Sequence, residues 1–204
     1  LAAAHTCLQA GFEVTLLEQA RALREIGTGV QISSNGTKVL SAIGLGDAID
    51  AVGVRSQSFQ VLSYESGEQI AEFPLGETAS SHYGDIFYQL HRADLLDALR
   101  TALPDGTLRL GARVDRIEQD ADSAAAILES GESVRGDVLI GADGIHSAVR
   151  RSIGIVDDAR FSGKLVWRAL VPADRITEYG FGENFYGYTG RDRMVWAYWV
   201  RPGK

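Results

Sequence analysis

The run Gly136-Asp137-Val138-Leu139-Ile140-Gly141-Ala142-Asp143-Gly144-Ile145-His146-Ser147-Ala148-Val149-Arg150 constrains this chain more than any other stretch. A short apolar segment enters a Gly-Ala-Asp-Gly turn, and Ser147 stands where it would cap a helix. The pattern predicts strand, tight turn and helix in immediate succession. Such a form suits a bound phosphate: glycines let backbone approach a ligand, and free N–H groups at a helix start favour negative charge. Alone it is only suggestive, because many α/β proteins carry a Gly-Asp-Gly turn. The segments upstream narrow the reading.

Leu1 to Ala10 is rich in Ala and Leu and stops at Gly11, which predicts a helix with a glycine end. Phe12-Glu13-Val14-Thr15-Leu16-Leu17-Glu18 then reads as a mostly buried strand ending in an acid. Helix, glycine, strand and terminal acid form the second half of a dinucleotide-binding βαβ unit. There an acid roughly 20 residues after a glycine turn binds ribose hydroxyls. Glu18 stands at that distance if the last glycine of the turn lies just before Leu1. A surface Glu after any α/β strand is the competing reading.

Arg24 to Gly36 is rich in glycine and hydroxyl residues, and a helix follows from about Thr37 to Ile43, capped by Ser34 or Asn35. Arg55 to Phe73 alternates like antiparallel strands turning at Glu65-Ser66-Gly67-Glu68. His91 to Arg100 is a short amphipathic helix with Leu95, Leu96 and Leu99 on one face. Two further strands cover Thr107–Ile117 and Ala124–Val134, the second broken at Ser130-Gly131-Glu132. After Phe161 the chain turns aromatic and strand-like, through Trp167, Phe185, Tyr186, Tyr188, Trp196, Tyr198 and Trp199.

Composition removes several classes of function. The net charge is −7 and Lys and Arg do not cluster, which argues against a nucleic-acid or anionic-membrane partner. No apolar run approaches the roughly 18 residues of a spanning helix. The single cysteine, Cys7, rules out an internal disulfide and a multi-cysteine metal site. These features point to a cytoplasmic protein. The only methionine is Met194 and the first residue is Leu1, so the chain reads as an internal piece of a longer protein.

Taken in order, Phe12–Glu18, Gly27-x-Gly29-x-Gln31-x-x-x-Asn35-Gly36, His91-Arg92-Ala93-Asp94-Leu95 and Gly141-Ala142-Asp143-Gly144-x-x-Ser147-x-Val149-Arg150 resemble the single-component FAD-dependent aromatic hydroxylases. These are the group A flavoprotein monooxygenases, which include the salicylate, hydroxybenzoate and urate hydroxylases. The resemblance extends through Gly163-x-x-x-Trp167-Arg168 and so covers essentially the whole chain. It implies an α/β fold: a Rossmann-like FAD-binding domain, incomplete at both ends, interleaved with an antiparallel substrate-domain sheet. The implied division assigns 1–54 and 88–156 to the FAD-binding domain and 55–87 and 157–204 to the substrate sheet.

The resemblance also implies roles. Glu18 would bind the adenosine ribose of FAD, and Arg92 would reach the pyrophosphate or ribityl region with its guanidinium fork. Val114 marks where strand backbone meets the adenine edge, although its side chain reads as core. Asp143 and Gly144 belong to the second flavin motif. An acid facing phosphate directly would be repelled, so Asp143 is expected to orient backbone N–H groups, water or Arg150. Gly29 and Val30 would offer backbone to the flavin. Arg168, Tyr188 and Trp196 are candidates for the aromatic substrate. His5, His82, His91 and His146 lack the spacing of a nucleophilic triad or a metal site and read as packing, capping or loop residues.

The implied chemistry is hydroxylation of a phenol or other electron-rich ring, with NADH or NADPH as reductant and O2 as co-substrate. The catalytic base, the substrate and the oligomeric state are left open. A flavin-dependent reductase or dehydrogenase on the same fold, or a truncated non-catalytic fragment, are the alternatives. The glycine turn before Leu1 and a Gly-Asp segment after Lys204 belong to the family pattern but not to this sequence. The piece alone is therefore expected to fold poorly and hold little FAD.

Overall fold

Helix α1 (Ala2–Gln9) runs into Gly11, whose φ of 86° stops it as the sequence predicts. The structure, a computed structural model, describes residues 1–23, 28–155 and 159–202. Two compact units result: Leu1–Phe12, Arg24–Leu103 and Arg168–Lys204 form the first, and Glu13–Leu23 with Pro104–Trp167 the second. These units cut the chain at other places than 1–54, 55–87, 88–156 and 157–204, because strands distant in sequence pair with one another.

In the first unit, β2 (Gly29–Ile32), β3 (Val54–Arg55) and β6 (Tyr88–His91) make an antiparallel sheet in the order β2-β6-β3. Helices α2 (Ser34–Ala42), α3 (Gly46–Val52) and α5 (Arg92–Thr101) supply the other side of its core. Leu40, Ile43, Leu45, Ile49, Tyr88 and Leu90 are buried together, with Leu95 and Leu99 packed against them as the helical spacing of α5 requires. His5 is packed rather than catalytic: its Nε2 lies 2.8 Å from the Leu99 carbonyl. Helix α2 starts earlier than expected, at Ser34. Its N-cap is Ser33, without a side-chain cap hydrogen bond.

A second sheet of this unit has the order β12-β11-β4-β5, from β4 (Ser58–Ser63), β5 (Gln69–Pro74), β11 (Phe185–Thr189) and β12 (Met194–Tyr198). The β4–β5 hairpin is the one read from alternation. The expected all-antiparallel sheet is corrected at one pair, because β11 runs parallel to β4 with Phe185 opposite Phe59. A parallel neighbour needs a long crossover rather than a tight turn, and here the intervening chain provides it. Short helix α4 (Glu77–Tyr83) lies between β5 and β6 in sequence.

In the second unit, β1 (Leu16–Glu18) pairs in parallel with β7 (Leu108–Leu110). Strands β8 (Val114–Gln119), β9 (Ala124–Leu128) and β10 (Ser133–Gly136) form an antiparallel meander. Ala125, Ala126, Ile127 and Leu128 of β9 are buried at its centre. Helix α6 (Ala148–Ser152) packs on β8.

Three sequence expectations are corrected in this unit. The strand expected over Phe12–Glu18 forms only from Leu16, since its partner β7 is just as short, and Phe12 is 64% exposed. The strand expected over Thr107–Ile117 breaks at Gly111, where φ is 70°. The apolar run before the Gly-Ala-Asp-Gly turn forms no strand. Val138 and Ile140 are 76% and 60% exposed, and among the described residues no strand pairs with them. A strand buried on both faces reads as a continuous apolar run, but it forms only beside a neighbour that takes up its backbone groups. Trp167 likewise lies outside any strand and is 92% exposed.

Candidate cofactor and aromatic site

Glu18 ends β1, where the Ala112 N–H donates to its carbonyl and the Gly111 N–H donates to that of Ala20. Its side chain is half-buried. Oε1 accepts the Ala20 N–H at 2.8 Å, and Oε2 keeps its acceptor capacity. The same contacts draw the 111–114 segment to Glu18. Val114 opens β8 opposite Leu128, and a β-bulge follows before Arg116, which locally re-aims the strand backbone. Glu18 and Val114 therefore share one corner of the second unit.

The turn at 141–144 is held by Asp143. Its carboxylate accepts the hydroxyl of Ser147 and the N–H groups of Ala148 at 2.6 Å and Val149 at 3.2 Å. Ser147 Oγ in turn accepts the Arg150 N–H at 2.9 Å and caps α6. Burial pushes the Asp143 carboxyl up, but the hydrogen bonds from Ser147 and the backbone outweigh it and hold the group below the usual carboxylate range. Arg150 turns to the Ile145 carbonyl, not to Asp143. Gly144 has a φ of 76°, which asks for glycine. Close packing adds a second constraint, because a Cβ on Gly141 would lie 2.7 Å from Cβ of Val149.

In the first unit, Gly29, Val30 and Arg92 meet at one corner. Gly29 stands opposite His91, and the Arg92 N–H donates to the Thr28 carbonyl at 2.9 Å. Gly27 of the same motif lies outside the described residues. Strand β2 is at the edge of its sheet, so alternate backbone groups along Gly29–Ile32 face away from β6. Val30 packs its side chain on the core, leaving backbone as what it can offer outward. Arg92 is exposed at the first position of α5, with the N-cap supplied by His91, whose Nδ1 accepts the Ala93 N–H.

The aromatic residues separate into two faces of the second sheet. Phe73, Phe59, Phe185 and Tyr198 are register neighbours across its four strands and form a row on one face. Phe59 and Phe185 stack at 4.4 Å between centroids, and Tyr198 meets Phe185 edge-on at 5.7 Å. Trp196 joins this face at 5.3 Å from Phe185 and is 53% exposed. Tyr188 pairs with Val195, one step out of phase with Trp196, and points to the opposite face. Two of the substrate candidates are thus not brought together.

Tyr198, which sequence reading passed over, is the residue that links the faces to the corner. Its ring rests on Gly29 so closely that a Cβ there would lie 2.5 Å from Cε2. Burial raises the Tyr198 phenol, and the positive charge of Arg168 opposes that shift. Only the missing side chain at Gly29 hinted at such a contact. A lone glycine in a strand marks a close approach but does not say of what.

Taken unit by unit, the chemistry present suits parts of an FAD. The second unit has an acid at a strand end, and the first has an arginine exposed at a helix start and an edge strand beside an aromatic ring. The sequence profile of the family described as FAD binding domain matches residues 1–172. The chain belongs to that family. It is 36% identical over 194 residues to the 3-amino-4-hydroxybenzoate 2-monooxygenase of Streptomyces cremeus, covering 95% of this chain and 49% of the relative. It is 32% identical to the salicylate hydroxylase of Pseudomonas putida, covering 97% of this chain and 48% of that enzyme.

Among solved structures, HpxO of Klebsiella pneumoniae, complexed with FAD and uric acid, superposes with a TM-score of 0.82 at 24% identity, over 96% of this chain and 49% of HpxO. 2-Methyl-3-hydroxypyridine-5-carboxylic acid oxygenase in its tetrameric form gives 0.76 at 26% identity, over 92% and 48%. The fold is therefore the Rossmann-like α/β fold of FAD-binding proteins. This FAD-binding-family chain spans about half the length of the curated relatives it matches. Among its described residues no helix is long and apolar enough to cross a membrane.

Proposed function

We propose that the protein carrying this chain is an FAD-dependent monooxygenase that hydroxylates a phenolic or other electron-rich aromatic substrate with NADH or NADPH and O2 in the cytoplasm. The observation that carries the reading is Tyr198 seated on Gly29, which sets an aromatic sheet face directly against the edge strand assigned to the cofactor. Relatives named for hydroxylation of hydroxybenzoates and salicylate support the substrate class. The bound flavin would supply the redox chemistry and the activation of O2.

This chain's residues then bind and orient. Glu18 takes the ribose hydroxyls with its free oxygen, Arg92 meets the phosphate-to-ribityl region, and Gly29 and Val30 present backbone. Val114 lines the adenine side, while Asp143 and Gly144 shape the second turn. Trp196, on the half-open aromatic face, stacks the substrate ring and excludes water, and the positive charge of Arg168, which acts on the Tyr198 hydroxyl, favours an anionic group on that ring. Tyr188, on the reverse face, supports the sheet. In this reading 1–54 and 88–156 build the cofactor half, with 55–87 and 157–204 the substrate half. The sheet drawn from both of the latter segments supports that division.

The test is NAD(P)H oxidation by the full-length protein with a panel of phenolic acids, read with O2 uptake and product mass. An oxygenated product formed in step with NAD(P)H consumption is expected. Flavin reduction by a substrate without any need for O2 would overturn the reading in favour of a dehydrogenase.

A further inference from the structure

The stretch from Tyr198 to Arg201 touches the Arg92 corner three times. Tyr198 lies on Gly29, the Val200 carbonyl accepts the His91 N–H at 2.8 Å, and Arg201 forms a two-pronged bridge to Asp94. Its Nε and Nη2 each donate to a separate Asp94 oxygen at 2.8 Å, across 107 positions of sequence. The Asp94 side chain is only 20% exposed. Other bridges, such as Arg109 to Glu132 across 23 positions and Arg100 to Asp97, span less sequence and leave both partners more exposed than Asp94.

Asp94 takes no part in capping its own helix. In a capping box, a Glu or Gln at the third position of a helix reaches back to the backbone N–H of the N-cap residue. Here the N–H of His91 is taken by Val200, and His91 caps the helix with its own ring. The Asp94 carboxylate is committed to Arg201 instead, and that bond is the leading cause holding it below the usual carboxylate range.

We infer that Arg201 is a positioning residue for the cofactor arginine. Through Asp94 it fixes the first turn of α5, and with it Arg92, to the end of the strand that bears Trp196 and Tyr198. The aromatic face and the FAD-binding arginine then move as one body. The inference rests on the assignment of Arg92 to FAD made above, and it adds a residue that touches neither cofactor nor substrate.

The experiment measures FAD affinity of the full-length protein by flavin fluorescence, alongside the thermal midpoint of the FAD-free form. Losing a two-pronged charged contact should weaken FAD by about tenfold or more in Arg201→Ala. Arg201→Lys, with a point charge in place of a fork, should fall between. Because Arg201 acts through Arg92, Arg201→Ala should cost nothing further in an Arg92→Ala background. Millimolar guanidinium should restore FAD affinity to Arg201→Ala without moving its thermal midpoint.

Unchanged affinity in Arg201→Ala, losses that add in the double variant, or a loss that guanidinium fails to rescue would each overturn the positioning role while leaving the flavoprotein reading intact. A wild-type protein that takes up no FAD would instead sink that reading, and this inference with it.

Discussion

Gly29→Ala isolates one contact that the fold depends on at the proposed cofactor edge. Gly29 is an extended strand residue, so alanine meets no backbone penalty there, and the cost comes from the neighbour alone. A new Cβ would lie 2.5, 2.7 and 2.8 Å from Cε2, the hydroxyl oxygen and Cζ of Tyr198. Real Cβ contacts sit near 3.5–4.0 Å, so the ring must withdraw by roughly 1 Å. The ring is not free to do so, because Phe185 meets it edge-on at 5.7 Å. Forcing an extra methyl into a packed contact costs about 1–3 kcal/mol, read as a lowered thermal midpoint of the full-length protein.

The assay is a double-mutant cycle with Tyr198→Ala, read by thermal unfolding. Tyr198→Ala removes the obstructing ring, so Gly29→Ala should be nearly neutral in that background, and the interaction term should recover most of the single-variant loss. Tyr198→Phe keeps Cε2 and Cζ and should rescue little. A Gly29→Ala variant as stable as wild type would refute the contact. Equal losses in both backgrounds would refute the assignment of the cost to Tyr198.

Leu90 is fully buried in the first unit, and Leu90→Ala should cost about 2–5 kcal/mol by urea unfolding. Tyr88 is pushed up to about 12 by burial and by its hydrogen bond to Asp50. A raised folded value contributes stability that is whole below the usual tyrosine value of 10.0 and lost as pH rises towards about 12. Stability measured against pH should therefore fall in that window for wild type and stay flatter for Tyr88→Phe. Asp143 has the opposite sign: its lowered value gives stability present above 3.8 and lost as pH falls further. Asp143→Asn should remove that acid limb and cost about 1 kcal/mol at neutral pH after solvent screening. Glu18→Ala should weaken FAD binding by the full-length protein about tenfold or more in a fluorescence titration, and unchanged affinity would remove Glu18 from the site.

What the sequence disclosed was local. The glycine stop after α1 and the β4–β5 hairpin follow from spacing over a few residues and form, and of the expected Leu95, Leu96 and Leu99 face of α5, Leu95 and Leu99 pack on the buried core cluster. Asp143 and Ser147 could be placed at a helix start because a cap is written within one turn of chain. The parallel pairing of Phe59 with Phe185, the seat of Tyr198 on Gly29 and the bridge from Arg201 to Asp94 leave no such trace. Each joins segments that share no period, and only packing decides which meet. The apolar run at 138–140 shows the reverse error: its composition suits a buried strand, yet no neighbour among the described residues takes its hydrogen bonds.

The turn at 141–144 also changes what an acid near a phosphate means. A short helix start with open N–H groups would by itself attract an anion, and a carboxylate beside it would repel one. In this structure Asp143 occupies the helix start itself, accepting the N–H groups of Ala148 and Val149 and the Ser147 hydroxyl. Those N–H groups are thus already paired. The turn itself, 141–146, is exposed, and Gly144 holds a positive φ. The ionised carboxylate is thereby turned toward the helix start and its charge is partly offset by three donors. This orientation is how an acid can stand in a turn proposed to lie near the cofactor.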